Sequence, residues 1–160
     1  MAGDMFLILD GIKGESLDDK HKGEIDIQSF SWGLAQRGSG SRGSGSGTGK
    51  VEISDISIHK HVDKASPTLM LACANGKHIA KGKLTVRKAG ENPLEYLTID
   101  LESILVSSYD VNGANSGDIP MESIRLNFAK VKTEYWTQSD KGAKGENANF
   151  SWDVAKNVKY

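Results

Sequence analysis

Apolar residues recur every second position along most of this chain, and the parity of that alternation switches in the middle of its longest segments. Met5-Phe6-Leu7-Ile8-Leu9 is a short apolar run that ends at the turn signal Asp10-Gly11, and it predicts a buried strand. From Glu24 to Gln36, Ile25 and Ile27 share one parity while Phe30, Trp32 and Leu34 share the other. Val51 and Ile53 give way to Ile56 and Ile58, and Leu97, Ile99 and Leu101 give way to Ile104 and Val106. Ile124, Leu126 and Phe128 give way to Val131 and Tyr135. A one-residue slip moves every side chain to the other face, so each switch predicts a bulge or bend. Long strands that bend in mid-course belong to strongly curved sheets. Further strands are expected at about 83–88 and 149–156. The polar stretches 112–118 and 142–149 are expected to be loops, the first closing a hairpin. The expected fold is mainly β, a barrel of two curved antiparallel sheets.

One segment breaks the alternation. Ser66 to Gly76, Ser-Pro-Thr-Leu-Met-Leu-Ala-Cys-Ala-Asn-Gly, predicts a short helix over about 66–75 packed on the side of the sheets. Ser66 is placed to cap it, Pro67 suits its first turn and Gly76 its stop. A buried strand competes with this reading. The helix is apolar almost all round, whereas a surface helix needs only one apolar stripe. Its second apolar side is therefore expected to meet a neighbouring subunit.

The length of 160 residues suits one domain, 1–160. Lys and Arg number 20 against 21 Asp and Glu, a net charge of −1. That balance gives no basic stripe for nucleic acid and none for an acidic membrane surface. The longest wholly apolar run, Leu69 to Ala74, is too short to span a bilayer, so no membrane insertion is expected. The start, Met1-Ala2-Gly3-Asp4-Met5-Phe6, shows no Sec-type signal. With Cys73 alone there is no internal disulfide.

The low-complexity stretch Gly38, Ser39, Gly40, Ser41, Arg42, Gly43, Ser44, Gly45, Ser46, Gly47, Thr48 and Gly49 lies between two predicted strands. It reads as a flexible loop insertion, disordered when alone in solution. It formally contains G-x-G-x-x-G, but a strand follows where a dinucleotide fingerprint needs a helix. His59, His61 and Asp63 have metal-ligand spacing on one strand face, but no fourth ligand is near in sequence. The plainer reading is polar positions at a wet strand end beside Lys60 and Lys64. His21 and His78 read as surface residues, and Glu24 and Asp26 as the wet face of their strand. Cys73 sits in the apolar run of the helix, where a thiol behaves as a small hydrophobe. There is no G-x-S-x-G elbow and no constellation of nucleophile, base and acid. No catalytic residue, metal site or cofactor is expected. Trp32 and Trp152 are in phase with core positions, and Trp136 closes its strand beside Tyr135. Ser29 and Ser31 alternate with Phe30 and Trp32 and would present a small, uncharged, polar face.

Several stretches together resemble one family. They include Asp10-Gly11-Ile12-Lys13-Gly14-Glu15-Ser16, Ser31-Trp32-Gly33, Gly49-Lys50-Val51 and Asp63-Lys64-Ala65-Ser66-Pro67. Leu84-Thr85-Val86-Arg87-Lys88-Ala89-Gly90, Glu95-Tyr96-Leu97, Leu126-Asn127-Phe128-Ala129 and Trp152-Asp153 continue the series. In order and spacing, essentially end to end, the chain resembles the Hcp family, the haemolysin-coregulated proteins of bacterial type VI secretion. It departs from the family pattern in the hairpin 109–120, usually richer in glycine, and in the basic His59-Lys60-His61. The resemblance implies a β-barrel of two sheets with one helix on the side, and six copies forming a ring with a wide pore. Such rings stack into the inner tube of a contractile injection apparatus, alongside spike and sheath proteins, and are secreted with it. They also carry effector proteins in the pore. On that footing, Gly38–Gly49 is expected to contact the next ring, and Ser29 and Ser31 to line the pore or touch cargo. A monomeric barrel holding a small apolar ligand is the alternative.

Overall fold

The computed structural model describes residues 3–36 and 50–160. Among the described residues the protein is mainly β, with one short helix. In chain order the strands are β1 (Gly3–Leu9), β2 (Ile25–Asp26), β3 (Ser29–Ser31), β4 (Leu34–Ala35), β5 (Glu52–Ile53) and β6 (Ile56–His61). Helix α1 (Ser66–Asn75) follows, then β7 (Ile79–Lys88), β8 (Glu95–Asn112), β9 (Met121–Asn127), β10 (Lys130–Gln138) and β11 (Lys144–Asp153). Hydrogen-bonded neighbours run β2-β1-β7-β8-β9-β6-β3, with β10 joined to β8 and β11 to β10. A small separate ribbon pairs β4 with β5. Each of these pairings is antiparallel.

β8 explains the parity switch most directly. Its first half pairs with β7 and β10, and its second half pairs with β9. Between them Ser103 adopts φ 53°, a left-handed conformation that bends the strand. Leu101 and Ile104, on either side of the bend, are both buried. A bulge between Val106 and Ser108 then reverses the parity again, so Tyr109 faces inward. The other three switches are breaks in the chain rather than bulges in one strand. Ser54 and Asp55 separate β5 from β6, and Phe128 and Ala129 separate β9 from β10. The run 24–36 divides into β2, β3 and β4. Its change of face follows a change of partner: Ile27 N–H donates to Met5 O at 3.0 Å, and Gln28 N–H donates to His59 O at 2.9 Å. The two ends of the sheet path thus meet in one continuous piece of chain.

Leu7, Ile25, Ile58, Leu84, Ile104, Ile124, Leu126 and Val131 form the centre of the core. Full burial of one such side chain contributes about 1.5–3 kcal/mol. The core leaves no room at Gly82, where an added Cβ would lie 2.7 Å from Leu9 Cδ2 and 2.8 Å from Ile104 Cδ1.

The helix has the expected bounds, and Gly76 ends it at φ 67°. Its start differs from the expectation. Ser66 lies inside the helix, and Ala65 is the residue before the first turn. Asp63 Oδ1 accepts the Ala65 N–H at 2.9 Å, while Ser66 Oγ accepts the Asp63 N–H at 3.0 Å. Asp63 and Ser66 thus satisfy the entry reciprocally, one turn earlier than the sequence suggests. Leu69 and Ala72 seat the helix on the core, whereas Met70 and Leu71 are 41% and 60% exposed. The segment expected to be a polar loop at 142–149 is mostly strand, since β11 begins at Lys144 and pairs along β10.

Candidate functional site

β3, β6, β9 and the second half of β8 lie side by side and present one polar face. Registers run Ser29–His59–Ser123–Asp110 in one row and Ser31–Ser57–Arg125–Ser108 in the next. The alternate positions Phe30, Ile58 and Ile124 turn inward to the core. Ser29 and Ser31 are exposed, as the alternation requires, and the structure brings them together with Ser57, Ser123, His59 and Arg125. His59 was singled out only for its spacing with His61, and Ser57, Ser123 and Arg125 were missed because they lie on strands far away in sequence. The cross-strand register that unites them has no local signal.

At one end of this face Ser31, Trp32, Ser54, Asp55, Ser57 and Arg125 surround a cleft of about 420 Å³. Several of its polar groups are already engaged. Asp55 Oδ2 accepts from Ser107 Oγ at 2.6 Å, and Asp55 Oδ1 accepts from Asn127 Nδ2 at 2.9 Å. Trp32 Nε1 donates to Ser54 O at 3.0 Å, while Ser54 Oγ bonds both the N–H and the carbonyl of Gly33. The Trp32 ring packs edge-on against Phe128, with centroids 6.1 Å apart.

Behind the face lies a buried polar network. Lys60 was read as part of a wet strand end, but it is 0% exposed. Its parity is that of Ile56 and Ile58, so β6 carries it inward. Its ammonium donates to Glu122 Oε1, to Asp63 Oδ1 at 2.9 Å and to His61 O at 2.9 Å. Ser66 Oγ also donates to Glu122 Oε1, at 2.8 Å, and Tyr109 Oη donates to Glu122 Oε2. All of the ammonium's donors therefore have acceptors, as a buried charge requires. Burial, followed by the hydrogen bond to Glu122, pushes the Tyr109 hydroxyl up to about 12. His59 and His61 stay exposed on the outer side of β6.

A second network fastens the loop between β1 and β2. The Phe6 ring stacks with the His21 imidazole at 4.3 Å, and the Arg87 guanidinium lies 4.9 Å from its centroid. His21 and Glu24, both expected at the surface, are buried. The neighbouring sheet covers them: His21 bridges Glu24 and, through Nε2 at 2.6 Å, Glu95. Asp26, read as part of the same wet face, is exposed. Arg87 reaches Asp4 at 3.2 Å and also Asp18. Its hydrogen bond is the main cause that holds the Asp18 carboxyl at about 2. Asp4, Glu15, Asp26 and Asp63 border a groove of about 470 Å³ beside this loop. Burial raises the Asp26 carboxyl above its ordinary range, and the charges of Asp63, Asp4 and Asp18 add to the effect.

The remaining sequence-based candidates fall as follows. Cys73 is half-buried and packs against the core. Trp152 also packs against the core, and Trp136 lies under Lys144 Nζ at 4.1 Å. The candidate ring contact, Gly38 to Gly49, lies outside the described residues. No helix among the described residues is long and apolar enough to cross a membrane.

Antiparallel sheets sharing one bent strand, with one short helix among the described residues, define a mainly β protein. Residues 6–135 match the family described as "Type VI secretion system effector, Hcp". The chain is 46% identical to the protein hcp1 of Pseudomonas aeruginosa, over 99% of each. A solved structure of a type six secretion system protein is 31% identical, with a TM-score of 0.93 over 99% of this chain and 100% of that one. Hcp1 of Salmonella typhimurium is 35% identical, with a TM-score of 0.81 over the whole of both chains. The chain belongs to the Hcp family of the type VI secretion system.

Proposed function

We propose that this chain forms six-membered rings, that the rings stack into the inner tube of a type VI apparatus, and that the tube is secreted with its cargo. The observation that carries the proposal is the match to Hcp proteins over the whole length, in sequence and in fold. Three features of the chain fit it. The exposed Met70 and Leu71 give α1 an apolar side that the other described residues leave open, as an assembling subunit requires. The net charge of −1 does little to oppose self-association. The face carrying Ser29 and Ser31 is rich in hydroxyls, which suits a pore wall that tolerates varied cargo. The stretch 38–49 serves as the contact between rings. Spike, sheath and effector proteins are the partners this role implies.

Negative-stain imaging of purified protein, followed by a cargo-retention assay, tests the proposal. Rings in the images, with cargo retention altered by Ser31→Gln, are the expected result. Single particles of monomer size would reject the assembly. Rings whose every cargo interaction survives Ser31→Gln would remove Ser31 from the wall.

A further inference from the structure

The cleft at Ser31, Ser57 and Arg125 has an unbalanced set of polar groups. Ser54 spends its hydroxyl on the backbone of Gly33, and the Trp32 indole N–H is used by Ser54 O. The one carboxylate in the cleft, Asp55, accepts from Ser107 on one oxygen and Asn127 on the other. Three donors are left. Ser31, Ser57 and Arg125 stand in one cross-strand row, and the side chains of all three lack a partner among the described residues. The next acidic group on this face, Asp110, lies in the neighbouring row, opposite Ser123. Arg125 is exposed between Ser57 and Ser108 in this row, so its planar fork of N–H groups is free to meet an acceptor.

Asp55 keeps its charge in the cleft, but the side chains left unengaged there are one guanidinium and two hydroxyls, a set that can meet a carboxylate. Two parallel N–H···O bonds from a guanidinium, with a serine hydroxyl on either oxygen, satisfy a carboxylate fully. We propose that this cleft is a recognition site for acidic segments of a cargo polypeptide, with Arg125 as the specificity-determining residue and Ser31 and Ser57 as its flanking donors. This deepens the carrier reading and rests on it for the source of the ligand. The row itself belongs to a single chain, so six copies in a ring would repeat it around the wall. Several weak sites acting on one cargo would then combine by avidity.

The test uses the full-length protein and a fluorescein-labelled hexaglutamate peptide, with a hexalysine and a Gly-Ser peptide as comparators. Binding is followed by anisotropy at two salt concentrations, and each sample's mass is checked by light scattering. Wild type should bind hexaglutamate in preference to both comparators, and more weakly at the higher salt. Arg125→Gln should weaken that binding about tenfold, the order expected for a lost hydrogen-bonded charge. Arg125→Lys should retain part of the affinity, and Lys141→Gln, in an exposed turn, should leave it unchanged. Wild type that does not prefer hexaglutamate overturns the inference, as does Arg125→Gln that binds like wild type at an unchanged mass. Arg125-dependent binding by a protein that light scattering finds monomeric would support the site while rejecting the ring reading.

Discussion

Lys60 and Glu122 are directly opposite one another on β6 and β9, and both point inward, so a single register pair places a full ion pair in the core. The pair joins two strands of the polar face to the entry of α1 through Asp63 and Ser66. Its effect on stability is asymmetric. Lys60→Met leaves the Glu122 carboxylate buried without its cation and should cost roughly 3–5 kcal/mol, whereas Lys60→Met combined with Glu122→Leu should recover most of that loss. Denaturant unfolding of the two variants measures both values. A Lys60→Met protein as stable as wild type would show that the pair is open to water.

Gly82 sits where β7 passes between Leu9 and Ile104. Both of those side chains are buried, so their tips must shift to admit a methyl group there. Gly82→Ala should destabilise the protein by about 1–3 kcal/mol through overpacking. Thermal unfolding reads this as a lowered Tm.

Asp18 gives stability an acid limb. Its carboxyl is lowered from an ordinary 3.8 to about 2, chiefly by the hydrogen bond from Arg87. The contribution is present above about pH 3.8 and is lost as pH falls towards 2. Asp26 works in the opposite direction, because its raised carboxyl gains a proton more readily in the folded protein. Asp18→Asn should therefore be less stable than wild type at pH 5, with the gap closing by pH 2. A gap that stays constant over that range would contradict the assignment.

The stretch 38–49 is proposed to act between rings and not within them. Shortening it should leave single rings intact in negative stain and change tube formation. Unchanged tubes from the shortened protein would exclude that role.

Much of the fold follows from period-two alternation, because burial of one face imposes it on every strand. The helix was legible from Pro67, Gly76 and the loss of alternation between them. Alternation does not distinguish a bulge within a strand from a gap between strands. The switch at Ser103 is a bend within one strand, and those at Ser54–Asp55 and Phe128–Ala129 are gaps between strands. The buried network left a signal that was misread. Lys60 is in phase with Ile58, and Glu122 with Ile124, so opposite charges at core-facing positions marked the pair. His21 left none, since its partners Phe6 and Glu95 are brought to it only by tertiary packing. Of the polar face, Ser29 and Ser31 were legible from their parity with Phe30. Arg125 was not, because the row it completes with Ser31 and Ser57 exists only once three strands are in register.

The proposed unit of function is a ring. Light scattering coupled to size exclusion measures the mass of the purified protein in solution. A six-membered ring should appear as a single species near six times the 17.3 kDa chain mass. A clean monomer over the same concentration range would contradict it.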